Sequence, residues 1–62
     1  MTGPEFKEMR TRIGLTQQAI ADEFECSRKH IGSIEDRHVV PTVYALAMRF
    51  LYSEKLKQYA DA

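Results

Sequence analysis

The sequence predicts an all-α fold, a compact bundle of four to five short helices. Three observations carry this: residues that cap helix N-termini recur along the chain, apolar residues between them repeat at helical spacing, and no strand-like alternation bounded by turn residues occurs. Sixty-two residues allow one domain, residues 1–62. A chain this short buries only about 60% of the surface its unfolded form exposes, so a marginal stability is expected.

Each helix start combines a capping residue with an apolar residue just before it and another four positions into the helix. Thr2 with Glu5 forms a capping box, stapled by Met1 and Phe6, and the stripe Phe6, Met9, Ile13 follows. Gly14 closes this helix, glycine being the residue that enters the left-handed region at no steric cost. Thr16 caps the second helix, with Leu15 and Ile20 as its staple and Ile20, Ala21 and Phe24 as its apolar face. Ser27 caps the third, with Cys26 before it and Ile31 and Ile34 along it. Thr42, after Pro41, is the fourth expected cap, and Leu46, Phe50 and Leu51 are the apolar positions expected to face the core from there. Ser53 with Glu54 either starts a fifth short helix or lies within a longer fourth one. The second and third helices, Thr16 to Phe24 and Ser27 to about Asp36, are separated only by a tight turn, which is helix-turn-helix spacing.

Composition excludes several classes. The apolar fraction is 44% and the charged fraction 29%, ordinary for a globular domain, and no apolar run approaches the ~20 residues needed to cross a membrane. Glu5 and Glu8 in the opening residues argue against a signal peptide. Cys26 is the single cysteine; it makes no intrachain disulfide and is read as a small apolar plug in a reducing, cytoplasmic setting. Cys26, His30 and His38 lack paired ligand spacing and fall short of a four-ligand structural zinc site. No nucleophile elbow or phosphate loop is present, so neither enzyme, metal, cofactor nor small-molecule ligand is expected. Net charge is zero, nine Lys and Arg against nine Asp and Glu, yet its distribution matters more than its sum. Asp22, Glu23 and Glu25 precede residue 26, whereas Arg28, Lys29, His30, Arg37 and His38 follow it.

The run Gly14-Leu15-Thr16-Gln17-Gln18-Ala19-Ile20-Ala21, then Cys26-Ser27, Ile31 and Ile34-Glu35, with Pro41 following, resembles the phage repressor and Cro family of helix-turn-helix proteins, also called the XRE family. The likeness spans residues 6 to about 52. It implies a lambda-repressor-like bundle of five helices whose third enters the major groove of double-stranded DNA. Helical geometry offers a separate test. At about 100° per residue, Arg28, Lys29, Gly32, Ser33 and Asp36 fall within roughly 140° of one another, opposite Ile31, Ile34 and Glu35. One face packs and the other is free to read.

The family's docking geometry then maps base reading onto Arg28 and Lys29, with Ser33 one turn later and Gly32 as a point of close approach. Long cations can donate to guanine O6 and N7, each good bidentate contact contributing about 1–3 kcal/mol of discrimination. Gln17 resembles the family's phosphate-clamping glutamine at a helix start, where backbone amides also favour an anion. Arg37 and His38 stand where relatives touch the phosphate backbone. Arg10 and Glu35 match an ion pair that ties the first helix to the end of the third, a scaffold feature. Two departures stand out: Glu25 and Arg37 occupy places where the family often has glycine and positive φ. Asp36 puts a negative charge near the expected phosphates, and rejection of wrong sequences, pairing with a neighbouring arginine and a shifted docking angle all remain open.

These expectations combine into a sequence-specific transcriptional regulator, a repressor because this length leaves no room for a sensing or activating domain, with Cro-type and anti-CRISPR-operon regulators equally fitting. The alternative of another class is an antitoxin that binds a toxin protein and autoregulates its operon; a helical surface module without a DNA role would show no salt-dependent DNA binding. One reading head contacts few base pairs, so a homodimer on an inverted repeat is expected, with half-site centres about 34 Å apart. Residues 43–59 carry more apolar positions than one stripe needs. With Leu46 and Phe50 assigned to the core, Tyr52, Leu56 and Tyr59 are left as the dimer candidates, and residues 53–62 as a dimerisation tail or a segment folded back on its own subunit.

Overall fold

In a computed structural model the backbone is described for residues 1–60 and the side chains for residues 1–57. Among these residues the secondary structure is helical throughout: α1 is Gly3–Arg12, α2 Gln17–Glu23, α3 Arg28–Glu35 and α4 Thr42–Ala60. Helix α1 packs against both α3 and α4, and α2 packs against α3. No helix among the described residues is long and apolar enough to cross a membrane.

Three of the expected caps form. The Glu5 N–H donates to Thr2 Oγ1 at 3.2 Å, the Ala19 N–H to Thr16 Oγ1 at 3.0 Å, and the His30 N–H to Ser27 Oγ at 3.1 Å. At the first of these the Thr2 hydroxyl also donates to Glu5 Oε1 at 3.2 Å, but among the described residues the Thr2 N–H makes no bond to Glu5, so the cap forms without the reciprocal half of the expected box. Each cap satisfies an amide that the helix itself leaves unpaired, a gain of about 1 kcal/mol.

Helices α1 and α2 end in the same motif with different residues. After α1, the Gly14 N–H donates to the Thr11 carbonyl at 3.0 Å and the Leu15 N–H to the Arg10 carbonyl at 3.2 Å, with Gly14 at φ 74°. After α2, the Glu25 N–H donates to the Asp22 carbonyl at 3.3 Å and the Cys26 N–H to the Ala21 carbonyl at 2.9 Å, with Glu25 at φ 55°. Both are Schellman turns, which require a left-handed residue. Glu25 takes on that role with a Cβ that costs about 1–2 kcal/mol there. Arg37, in contrast to the expectation, is not in the left-handed region; its N–H donates to the Ile34 carbonyl at 3.1 Å, and the chain leaves α3 through a turn at Asp36 followed by bends at Arg37 to Val39.

The core is built from Phe6, Ile13, Ile20, Ala21, Ile31, Ile34, Val40, Ala45 and Met48. Met1, Leu15 and Cys26 are partly buried against it, as the staples require. Burial pushes the Cys26 thiol above its ordinary pKa, consistent with an apolar plug. An aromatic series crosses the bundle: Phe6 meets Phe24 edge-on at 6.3 Å between centroids, Phe24 meets Tyr44 at 6.2 Å, and Tyr44 meets His30 at 5.2 Å.

Helix α4 departs from expectation in three ways. Thr42 is its first helical residue, not its cap; the Pro41 carbonyl instead accepts from the Tyr44 and Ala45 N–H groups, each at 3.0 Å. Ser53 and Glu54 lie inside a single 19-residue helix, so the fourth and fifth expected helices are one. The inward face is also different. Ala45 and Met48 are buried and Tyr44, Leu51 and Tyr52 are half-buried against the core, while Leu46 and Phe50 are 59% and 69% exposed. Apolar residues occur on both sides of α4, so helical periodicity does not by itself choose between them.

Candidate nucleic-acid interface

Helix α3 is held by one face. Ile31 and Ile34 are fully buried, and Glu35 is buried beside them. Glu35 Oε2 accepts from Arg10 Nε at 2.7 Å and Glu35 Oε1 from Arg10 Nη2 at 3.4 Å, while Arg10 Nη1 donates to the Leu15 carbonyl at 2.9 Å. The expected scaffold pair is therefore present and buried. Gln17 Nε2 joins it, donating to Glu35 Oε1 at 3.0 Å. The network ties α1, the turn after it, the first residue of α2 and the last residue of α3 into one unit. Every buried side-chain nitrogen and oxygen among the described residues has a partner, so the network carries no unpaired charge in the interior.

The opposite face of α3 is open. Arg28, Lys29, Ser33 and Asp36 are exposed, and Arg28, Lys29 and Asp36 make no ion pair among the described residues. Pairing of Asp36 with a neighbouring arginine is thus not realised in the isolated chain. Asp36 also ends α3, where a negative charge opposes the helix dipole. Between the cations and Ser33, Gly32 is half-buried; a Cβ built there would meet only Gln17 Nε2, at 3.9 Å, an ordinary contact. Packing within the chain places no demand for glycine at this position. Gln17 is half-buried directly alongside, with one amide hydrogen committed to Glu35 and the second still able to donate.

Arg37 and His38 are exposed on a segment whose backbone is tied down. The Gly3 N–H donates to the Arg37 carbonyl and the Val40 N–H to the Met1 carbonyl, both at 2.9 Å. Gly3 was not singled out from the sequence, yet a Cβ on it would collide with the Glu35 and Arg37 carbonyls. Its sequence signal, a glycine just before Pro4 at a helix start, reads equally well as ordinary N-terminal punctuation.

The three expected dimer residues separate. Tyr52 is half-buried against the core, and its hydroxyl, followed by Glu8, raises the pKa of Arg12; Tyr52 is therefore engaged within its own subunit. Leu56 is exposed. The side chain of Tyr59 lies outside the described residues. The larger exposed apolar side chains are instead Val39, in the segment before α4, and Val43, Leu46 and Phe50, the last two turned outward by the unexpected rotation of α4. Compared with models of protein families, with curated proteins and with solved structures, the chain matches none.

Proposed function

We propose that the chain is a sequence-specific double-stranded-DNA-binding regulator, a repressor that occupies an inverted-repeat operator as a homodimer. The observation that carries this reading is the division of α3: Ile31, Ile34 and Glu35 lock one face, while Arg28, Lys29 and Ser33 stand exposed on the other, unpaired among the described residues, around a glycine the interior does not need. A rigid helix presenting free guanidinium and ammonium groups is what major-groove reading requires, since both can donate to guanine O6 and N7. The resemblance of residues 14–35 to the Cro and repressor pattern points the same way. Arg28 and Lys29 read bases; Ser33 contacts the next step of the groove; Gln17, Arg37 and His38 hold phosphates. Repression follows from occlusion of the operator, which asks nothing of the protein beyond occupancy. Such a protein works in the cytoplasm of a bacterium or phage-infected cell, on the nucleoid.

Selection of binding sites from random DNA tests this directly. An inverted repeat should emerge, with affinity falling steeply as salt rises. Arg28→Ala should weaken the selected site by about 1–3 kcal/mol and relax the preference at one G·C pair in each half-site. Equal losses on selected and random DNA would move Arg28 from bases to phosphates. A second reading, an antitoxin that covers a toxin and regulates its own operon, draws on the exposed apolar residues of α4; it requires a stoichiometric protein partner to co-purify from the native host.

A further inference from the structure

We infer that the exposed face of α4 pairs with the same face of a second copy of this chain, antiparallel across a two-fold axis between Leu46 and Ala47. This rests on the homodimer part of the proposed function and is independent of its DNA-reading part. Val43, Leu46 and Phe50 are 74%, 59% and 69% exposed. With Ala47 they form one stripe at i, i+3, i+4 and i+7, opposite the stripe that packs on α1. A contiguous apolar stripe on so small a surface marks an interaction site rather than incidental exposure.

Self-pairing is favoured because the two ends of the stripe complement each other. At the Val43 end lies an open groove of about 290 Å³ lined by Glu23, Phe24, Glu25, Val43, Tyr44 and Ala47. At the other end Phe50 protrudes. The two are seven residues, or about 10.5 Å, apart along the helix. An antiparallel pair centred between Leu46 and Ala47 therefore sets each Phe50 against the partner's Val43 end, at both ends at once, which is the condition a two-fold interface must meet. Charge agrees: Arg49, exposed and next to Phe50, is carried to the end of the interface rimmed by the exposed carboxylates Glu23 and Glu25. A stable interface takes about 800 Å² from each partner. Against a total accessible surface of 4253 Å² that is a share which one face of a small domain can supply. Tyr52 has no part in this surface, because it faces the subunit's own core.

Sedimentation equilibrium of the full chain without DNA tests the pairing. The unmodified protein should show dimer mass at micromolar concentration, and Phe50→Glu and Val43→Glu should each raise the dimer dissociation constant at least tenfold while circular dichroism remains helical. Leu56→Glu, off the stripe, should change it by less than threefold. In a Cys26→Ala background, Leu46→Cys should form a covalent dimer on mild oxidation and Leu56→Cys should not, because only a residue beside the axis meets its own copy. A monomeric unmodified protein, a dimer indifferent to both glutamate variants, or an α4 face occupied by a different protein would overturn the pairing. Base selection by Arg28 is measured separately, so loss of either result leaves the other standing.

Discussion

Helices α3 and α4 each bury one face and leave the other in water, but the two free faces differ in kind. The free face of α3 is polar, with Arg28, Lys29, Ser33 and Asp36 exposed. That of α4 is apolar from Val43 to Phe50. A charged face is what any solvated helix shows, so exposure of Arg28 and Lys29 by itself says little. Weight comes instead from what surrounds them: cations without ion pairs among the described residues, and a mid-helix glycine that lowers stability with no packing reason there. An apolar face has the opposite status, since water penalises it and a partner relieves the penalty. The same chain thus carries two exposed surfaces of different chemistry, one cationic and polar, which the proposed function assigns to DNA, and one apolar, which the proposed pairing assigns to a second copy.

The difference depends on α3 being locked by its inner face, and the largest expected effect breaks that lock. Glu35→Ala should strand Arg10 in the interior and cost about 3–5 kcal/mol. The whole domain is expected to have only about 3–9 kcal/mol of stability, so the variant should be partly or wholly unfolded at room temperature. Glu54→Ala removes only an exposed contact with Lys57 at 3.7 Å and should leave the melting temperature almost unchanged. Comparable melts for the two variants would remove the buried network from this account.

Gln17→Ala sharpens the link between scaffold and surface. It deletes the hydrogen bond to Glu35, a loss of about 1–2 kcal/mol for a half-buried donor to a charged acceptor. If the second amide hydrogen also holds a phosphate, DNA affinity should drop by a similar factor on every sequence, with base preference intact. Binding-site selection on the variant would show a changed preference if Gln17 instead read bases.

Gly32→Ala separates folding from binding more cleanly, because the two effects are expected to have opposite signs. Helix propensity should raise stability by about 1 kcal/mol, or about 4–8 °C in melting temperature. The added methyl on the reading face should at the same time weaken DNA binding. A variant both more stable and equally tight would show that DNA does not approach α3 at this point.

The smallest effect concerns the turn that delivers α3. Glu25→Gly relieves left-handed strain of about 1–2 kcal/mol but adds unfolded-state freedom of about 0.5–1 kcal/mol, for a net gain of about 0–1.5 kcal/mol. Thermal unfolding should therefore move up by a few degrees. A lower melting temperature would mean that the Glu25 side chain contributes something beyond occupying the turn.

Local chemistry was enough to read Thr2, Thr16, Ser27 and Gly14, because caps and Schellman turns are made by residues within a few positions of one another, whereas the positive φ at Glu25 was expected only from the glycine that the resembling family often has there. The Arg10–Glu35 pair was legible only through the family resemblance, since nothing in spacing alone relates residues 25 apart. The reach of Gln17 to Glu35 was not legible at all: an amide at a helix start looks the same whether its neighbour is a phosphate or a buried carboxylate.

By itself the sequence determined the helical class, the first three helix starts, the ends of α1 and α2 and the inward faces of α1 to α3, where apolar residues occupy a single stripe and only one orientation buries them. Tertiary structure decided the rotation of α4, the merging of its two expected halves, the absence of a left-handed residue at Arg37 and the close approach of Gly3 to the end of α3. Helix α4 is apolar on two sides, so periodicity alone permits either face to turn inward. Close packing of Ala45 and Met48 against the rest of the bundle settles which one does, and leaves Val43, Leu46 and Phe50 facing out.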